Sequence, residues 1–449
     1  MSIIAHEEIE KILNNAKNKD KQTRKEIIAK AKNYKGLTPE EAATLFYIED
    51  DEKEALFAAA KAVKERIYGK RVVLFAPLYT SDICDNDCLY CSFRAGNKNI
   101  SRKILSIDEI VRAAKILEAA GHKRILLVCG ESSTTSPNHI FDAVSAIYAQ
   151  TDIRRINVNV APLGVDGFKI IKRAGIGTYQ LFQETYHEPT YKKMHTSGPK
   201  SDYTNRIVAL DQAFEAGIDD LGIGILLGLY DYKYDVLASL LHAKYLETKY
   251  NVGPHTISIP RLRPAVGAAL KEAPHKVDDN DLKKIVSIYR LAMPYTGIIL
   301  STRESESLRD ELLDVGVSQI SAGSKTNLLG YENNTDENGQ FEISDKRSLD
   351  ELVDSIVKKG YLPSFCTACY RTNRTGEAFM SLAKDGSIHE FCNPNSILTF
   401  KEYIEDHGKD DAYNDKIKNE IEKIDNTNLK KEIYNRLKKI EDGERDLYF

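Results

Sequence analysis

A chain of 449 residues with 42% hydrophobic and 29% charged content has the composition of an ordinary soluble enzyme, with room for one large domain plus appendages. A formal net charge of −4 gives no bulk attraction to nucleic acid or to an acidic membrane surface, so no nucleic-acid partner and no membrane partner are expected. The amino-terminal stretch MSIIAHEEIEKILNNAKNKD has no apolar h-region, and no apolar run reaches the roughly 18 residues of a spanning helix, so a cytoplasmic chain is expected.

Residues 1–70 read as a helical extension. HEEIEKILNNAKN and KEIIAKAKNY repeat apolar residues at three- and four-residue steps, and Gly36 ends that stretch. LTPEEAATLFYIED follows as another helix, with Thr38 at the N-cap and Pro39 in the first turn. Beyond it, apolar runs alternate with helical stretches. The runs are RVVLFAPLYT, RILLVCGE, INVNVAP, TYQLFQET, LGIGILLGLY, HTISIPRL, GIILSTRES and SQISAGS, with helices such as SIDEIVRAAKILEAAG and TNRIVALDQAFEAG between them. This alternation predicts an α/β fold: parallel strands with right-handed crossovers, closed as a TIM-like (β/α)8 barrel over residues 71–344. A second region, residues 345–449, opens with a short helix and carries LPSFCTACYRTNRTGEAFM. The tail after Pro394 is charged and reads as a solvated helical appendage.

In such a barrel, chemistry gathers where strands end at their carboxyl side. The segment SDICDNDCLYCSF follows strand one and brings three thiols, Cys84, Cys88 and Cys91. CGESS ends strand two, QETYHE strand four, RLRPAVG strand six and TRES strand seven, which predicts a large site at one barrel mouth. Cys366, Cys369 and Cys392 form a second trio, and Cys129 is left over. Structural zinc prefers four protein ligands, whereas three thiolates with one open position suit an iron–sulfur cluster whose remaining iron binds something else. A zinc site closed by His389 stays open as an alternative for the second trio, and with it a reading as a structural scaffold without activity.

The spacing of Cys84, Cys88 and Cys91, with aromatic Tyr90 before the last, resembles the cluster loop of the radical S-adenosylmethionine (SAM) enzymes. The resemblance implies a radical SAM barrel with a 4Fe–4S cluster on this trio and SAM on its open iron. It also implies that the Cys129–Gly130–Glu131 strand end meets the SAM amino group, that Tyr90 packs on the adenine side, and that Asn159, Glu184 and Arg206 face the ribose and carboxylate.

The second trio and the segments IGTYQLFQETY, HTSGPKSDY, GIDDLGIGILLGL, VGPHTISIPR, PYTGIILSTRES and SQISAGS resemble the HydG family, the tyrosine lyases that mature FeFe-hydrogenases. The thiamine-pathway 2-iminoacetate synthases (ThiH) are similar but lack the second trio. The HydG resemblance implies L-tyrosine as substrate, cleaved at Cα–Cβ to p-cresol and dehydroglycine. A second 4Fe–4S cluster in the carboxyl-terminal cluster domain would turn dehydroglycine into carbon monoxide and cyanide for an iron-carbonyl-cyanide precursor of the hydrogenase H-cluster. It implies an additional iron at that cluster held by His255, and a substrate carboxylate gripped by Arg303 with help from Ser301 and Ser321. Against Arg303 stands the simpler reading of an ion pair with Glu304 or Glu306. The implied partners are a reductant such as ferredoxin or flavodoxin and the maturation proteins that receive the iron synthon, with the chain a monomer or homodimer. Two segments depart from the maturases: RLRPAVGAALKEAP is closer to the thiamine-pathway relatives, and SSTTSP follows Glu131 where a different continuation is expected. The alternatives are therefore a single-cluster 2-iminoacetate synthase and a maturase-like paralogue acting on another substrate.

Overall fold

The computed structural model describes residues 3–408 and 411–449. Eight parallel strands close a barrel: β1 (Arg71–Ser81), β2 (Arg124–Cys129), β3 (Arg155–Asn159), β4 (Tyr179–Glu184), β5 (Leu221–Ile225), β6 (Thr256–Ser258), β7 (Gly297–Leu300) and β8 (Gln319–Ser321). All eight predicted strands form, in the predicted order. Closure falls on β1, which pairs with β8 through Val73–Phe75 and with β2 from Ala76 onward. Their apolar outward faces meet the surrounding helices, giving one continuous core that runs from Ile4 to Ile440.

The amino-terminal helices form as read. Thr38 caps the helix Pro39–Leu45 through a reciprocal capping box with Glu41. The helix Lys53–Tyr68 then packs on Asp279–Ala292 and leads into β1. TNRIVALDQAFEAG is two short helices, Tyr203–Ile207 and Ala209–Glu215, broken at Val208. No helix among the described residues is long and apolar enough to cross a membrane.

A ninth strand, β9 (Leu362–Ser364), escapes the sequence reading because it has three residues and a proline. It pairs in parallel with the first residues of β1, Arg71 opposite Leu362 and Val73 opposite Ser364, below the point where β2 begins to pair. That placement carries Cys366 to the amino-terminal end of the barrel, where Arg124 donates to its carbonyl at 2.8 Å.

The tail corrects the solvated-appendage expectation. The helix His389–His407 runs through Pro394, and Ile397, Leu398, Phe400, Tyr403 and Ile404 are buried in the main core. The charges that suggested a wet face are neutralised where they are buried: Glu402 pairs with Arg154, and Lys401 with Glu405 and Glu441.

Candidate active site

Side chains of a strand alternate between faces, so Arg71, Val73, Phe75, Pro77 and Tyr79 all face the barrel interior. The last three line a cavity open at the carboxyl-terminal mouth, and the first two line a smaller recess at the opposite end. The upper cavity collects Cys84, Cys88, Cys91, Tyr90, Gly130, Glu131, Asn159, Glu184, Arg206, Ser301, Arg303 and Ser321. The lower recess collects Cys366, Cys369, Cys392 and His255. Every candidate ligand or site residue that the family resemblance implies thus lies at one of two sites on opposite ends of one barrel.

In the upper cavity, the strand-two end and the cysteine loop are bolted together. Asp85 N donates to Glu131 O at 2.8 Å, and Asn86 Nδ2 donates to Glu131 Oε2 at 2.7 Å. Gly130 N donates to Ser81 O at 2.8 Å, and a Cβ at Gly130 would stand 2.3 Å from Ile83 O, so only glycine fits this close approach. The divergent SSTTSP segment supports the same turn, because Thr135 Oγ1 donates to Gly130 O at 2.7 Å. Residues 194–202 brace the loop from the other side: Leu89 N donates to Met194 O and Asp87 N to Ser197 O.

Tyr90 stacks edge-on against His195 rather than lying free. His195 Nδ1 meets the carbonyl of Tyr191 at 2.8 Å and must donate to it, so Nε2 accepts from the Tyr90 hydroxyl, also at 2.8 Å. Burial, with Lys200 adding, pulls His195 down to about 3 and keeps this ring neutral. Glu184 ends β4 at a bulge with φ of 69°. Burial would push its pKa up, but Lys200, 2.5 Å away, and Arg206 outweigh it and hold the carboxylate ionised. Arg206 is itself fixed by its Nε donating to Phe182 O at 2.9 Å.

Arg303 does not form the ion pair that its sequence neighbours suggested. Glu304 is taken by Arg261 and, at 2.7 Å, by Arg263, the two arginines of RLRP. Arg303 instead lays its guanidinium on the Phe341 ring, 3.4 Å from the centroid, with Nη1 reaching Arg261 O at 3.5 Å, and pairs with no carboxylate among the described residues. In the same cavity, the Oγ atoms of Ser301, Ser321 and Ser324 are buried with no hydrogen-bond partner among the described residues. A guanidinium without a carboxylate partner and three unpartnered hydroxyls in one cavity are a donor set suited to a small ligand bearing a carboxylate.

The lower recess is built differently. Phe379 lines its apolar side and packs with Met380, Val252 and Cys392 in one buried cluster. Arg71 and Arg124 line it and Arg155 stacks 3.6 Å over the Tyr370 ring behind it, each with a buried Nε that has no partner among the described residues. The Cys392 thiol, with Arg374 and Arg71 adding, pulls Cys369 down to about 6. His255 stacks on Phe379 and bonds Asp220 Oδ2 through Nδ1 at 2.9 Å, leaving Nε2 as its open nitrogen.

The donor sets test what the trios can hold. One tetrahedral zinc would draw its sulfurs to about 3.8 Å from each other, given Zn–S bonds of about 2.3 Å. Among the described residues, only Glu49, Asp51 and Glu52 bring three donor atoms within 4.8 Å of one another. Neither trio is so tight, and His389 packs against Gly69 instead of lining the recess. The wider spacing of the first trio fits thiolates that each hold a different iron of one cluster, while Cys369 and Cys392 of the second lie in hydrogen-bond contact. In the first trio burial raises Cys88 to about 11 and Cys91 to about 12, so only a cationic group there would keep them as thiolates.

Four residues of these sites were missed in the sequence: Lys200, Asn86, Asp220 and Phe341. HTSGPKSDY and GIDDLGIGILLGL were noted as segments, but nothing in their spacing reveals that Lys200 meets Glu184 or that Asp220 meets His255.

Residues 78–242 match the radical SAM superfamily, and residues 258–362 match the Biotin and Thiamin Synthesis associated domain. The chain is 32% identical over 312 residues to the 2-iminoacetate synthase of Escherichia coli, covering 69% of this chain and 81% of that protein. It superposes over its full length on a crystal structure of HydG, a maturase of the [FeFe]-hydrogenase, with 49% identity, full coverage of both chains and a TM-score of 0.97. The HydG of Carboxydothermus hydrogenoformans is similar at 42% identity, covering 96% of this chain and 97% of that one, with a TM-score of 0.85.

Proposed function

This chain belongs to the radical SAM superfamily, in the group that joins 2-iminoacetate synthase to the HydG maturases, and we propose that it is a tyrosine lyase that matures an FeFe-hydrogenase. It would cleave L-tyrosine to p-cresol and dehydroglycine at the upper cavity and form carbon monoxide and cyanide at the lower recess. The observation that carries this reading is the second site: a three-cysteine recess sharing its walls with a carboxylate-oriented histidine, at the other end of the barrel from the first trio. A single-cluster 2-iminoacetate synthase has no use for it.

Cys84, Cys88 and Cys91 would hold the first 4Fe–4S cluster, and the cavity between Gly130, Glu131, Asn159, Glu184 and Arg206 would take SAM. When bound, the cluster and SAM supply a one-electron cleavage that yields a hydrogen-abstracting radical. The chain's own work is placement and exclusion of water. Arg303 would grip the tyrosine carboxylate in a charge-assisted pair, and Ser301 and Ser321 would use their unpartnered hydroxyls to orient it. Phe341 covers the guanidinium and keeps that pair out of water.

Cys366, Cys369 and Cys392 would hold the second cluster, with His255 Nε2 available to an additional iron. Eight residues of β1 from Arg71 to Tyr79, about 26 Å of strand at about 3.3 Å per residue and tilted by about 36°, span about 21 Å along the barrel axis. A polar product released at the top would have to cover about that distance through the barrel. A reductant such as ferredoxin or flavodoxin would serve the first cluster, and maturation proteins would take up the iron synthon.

The test is anaerobic turnover of reconstituted protein with SAM, dithionite and tyrosine, assaying p-cresol and carbon monoxide. It is run beside a variant with Cys366→Ala and Cys369→Ala. We expect p-cresol from both proteins and carbon monoxide from the intact one alone. The intact protein making p-cresol without carbon monoxide or cyanide would make it a lyase of the thiamine kind. SAM cleavage without p-cresol would remove tyrosine as the substrate.

A further inference from the structure

The upper cavity holds a buried cation to which the roles above give nothing beyond its pairing with Glu184. Lys200 follows Gly198, whose φ is +88° and whose missing Cβ would stand 2.5 Å from Asp85 O. Only glycine lets this segment press so closely on the cysteine loop. Lys200 N then donates to Asn86 Oδ1 at 2.7 Å, two residues from both Cys84 and Cys88. The side chain is 12% exposed and turns into the cavity that the three thiols share, with Nζ 5.7 Å from the centre of the Tyr90 ring. Its carboxylate partner is Glu184, at 2.5 Å. The backbone bond, the close glycine and the ion pair leave this ammonium little freedom to move away.

We propose that Lys200 is an electrostatic residue of the first cluster, whose fixed charge raises the cluster's reduction potential. The inference rests on the proposed function only in that Cys84, Cys88 and Cys91 hold a 4Fe–4S cluster. Reduction adds one electron from an external reductant to a group already carrying thiolate charge. No bond to the lysine forms or breaks, and its protons stay in place. The Lys200–Glu184 pair carries little net charge, but without the ammonium the Glu184 carboxylate would face the cavity with Arg206 as its remaining counter-charge, so neutral variants make the surroundings of the cluster more negative and its reduction harder. Charge, rather than a specific hydrogen bond, is the property that matters, so arginine should substitute and neutral side chains should not.

The experiment is an EPR-monitored redox titration of the reconstituted full chain with SAM present, which perturbs only the first cluster and so separates its signal from that of the second. Lys200→Met and Lys200→Gln are expected to lower the midpoint, cutting the reduced-to-oxidised ratio at a fixed potential about tenfold, or about 59 mV for one electron. Lys200→Arg is expected to stay with the unmodified protein. A wild-type midpoint in an iron-replete Met or Gln variant would overturn the inference, as would an Arg variant shifted as far as Met. If one neutral variant fails to take up iron, the other decides. A wild-type protein lacking any SAM-perturbed cluster signal would instead overturn the cluster assignment itself.

Discussion

Asp220 Oδ2 lies 2.9 Å from His255 Nδ1, fixing the ring so that Nε2 is its free nitrogen in the recess of the second cysteine trio. Burial would push Asp220 up, but His255 and Arg155 hold it ionised. A carboxylate on the far nitrogen of a metal-binding histidine sets the tautomer and the ring angle, and its loss typically costs 10- to 100-fold in metal affinity. Asp220→Asn is therefore expected to lower occupancy of an additional iron at His255 by about that factor. Iron analysis and EPR of the second cluster would read the loss, while p-cresol formation at the other end of the barrel stays unchanged. An Asn variant with full iron occupancy would remove Asp220 from the site.

Arg303 offers a cleaner separation of binding from chemistry. With Glu304 held by Arg261 and Arg263, its guanidinium has no internal anion to compete with substrate. Hydrogen bonds to charged groups contribute about 1.5–3 kcal/mol, so Arg303→Ala should raise KM for tyrosine by about 10- to 150-fold. Arg303→Lys should recover only part, because an ammonium cannot make the bidentate contact or keep the stack on Phe341. SAM cleavage without tyrosine should be unaffected. Unchanged KM in the Ala variant would move the substrate carboxylate elsewhere in the cavity.

The legibility of this fold in the sequence follows from what a strand must look like when both faces are buried. RVVLFAPLYT and LGIGILLGLY are nearly unbroken apolar runs between helices, and that pattern has few other solutions. β9 was invisible because LPS has neither length nor alternation, and only its pairing with β1 makes it a strand. The first trio was legible because a cluster loop is local. Lys200, Asp220 and Phe341 were not, since each acts through a partner distant in sequence or carried on another element. The tail was misread because a charged sequence does not say whether its charges will find partners, as Glu402 does with Arg154.

Gly130 tests how closely the cluster loop is packed. Alanine there would put a methyl 2.3 Å from Ile83 O and 3.2 Å from Cys84 Cβ, and the backbone oxygen cannot swing aside. Overpacking of this kind costs about 1–3 kcal/mol, and here the displaced atoms carry a cluster ligand. Gly130→Ala should lose the first cluster while the second keeps its EPR signal. Gly164→Ala, at φ of +66° with nothing within 4 Å of the new methyl, is strained but should keep both clusters.

Asp235 lets the support beneath Glu184 be read from pH. Its carboxyl accepts from Tyr186 N at 2.7 Å and Thr185 Oγ1 at 2.9 Å, tying the turn after β4 to the helix Tyr232–Tyr250. Burial raises its pKa from 3.8 to about 7, so the folded protein keeps this proton where the unfolded chain has lost it. The folded state therefore gains from Asp235 at low pH and loses that gain as pH rises from about 4 to about 7, by about 4 kcal/mol in all. Asparagine accepts the same two hydrogen bonds without ionising. Asp235→Asn should raise Tm at pH 8, with the advantage shrinking as pH falls toward 5. A Tm difference that stays constant across that range would mean that the folded and unfolded chains bind the same number of protons there, so that burial does not raise this carboxyl.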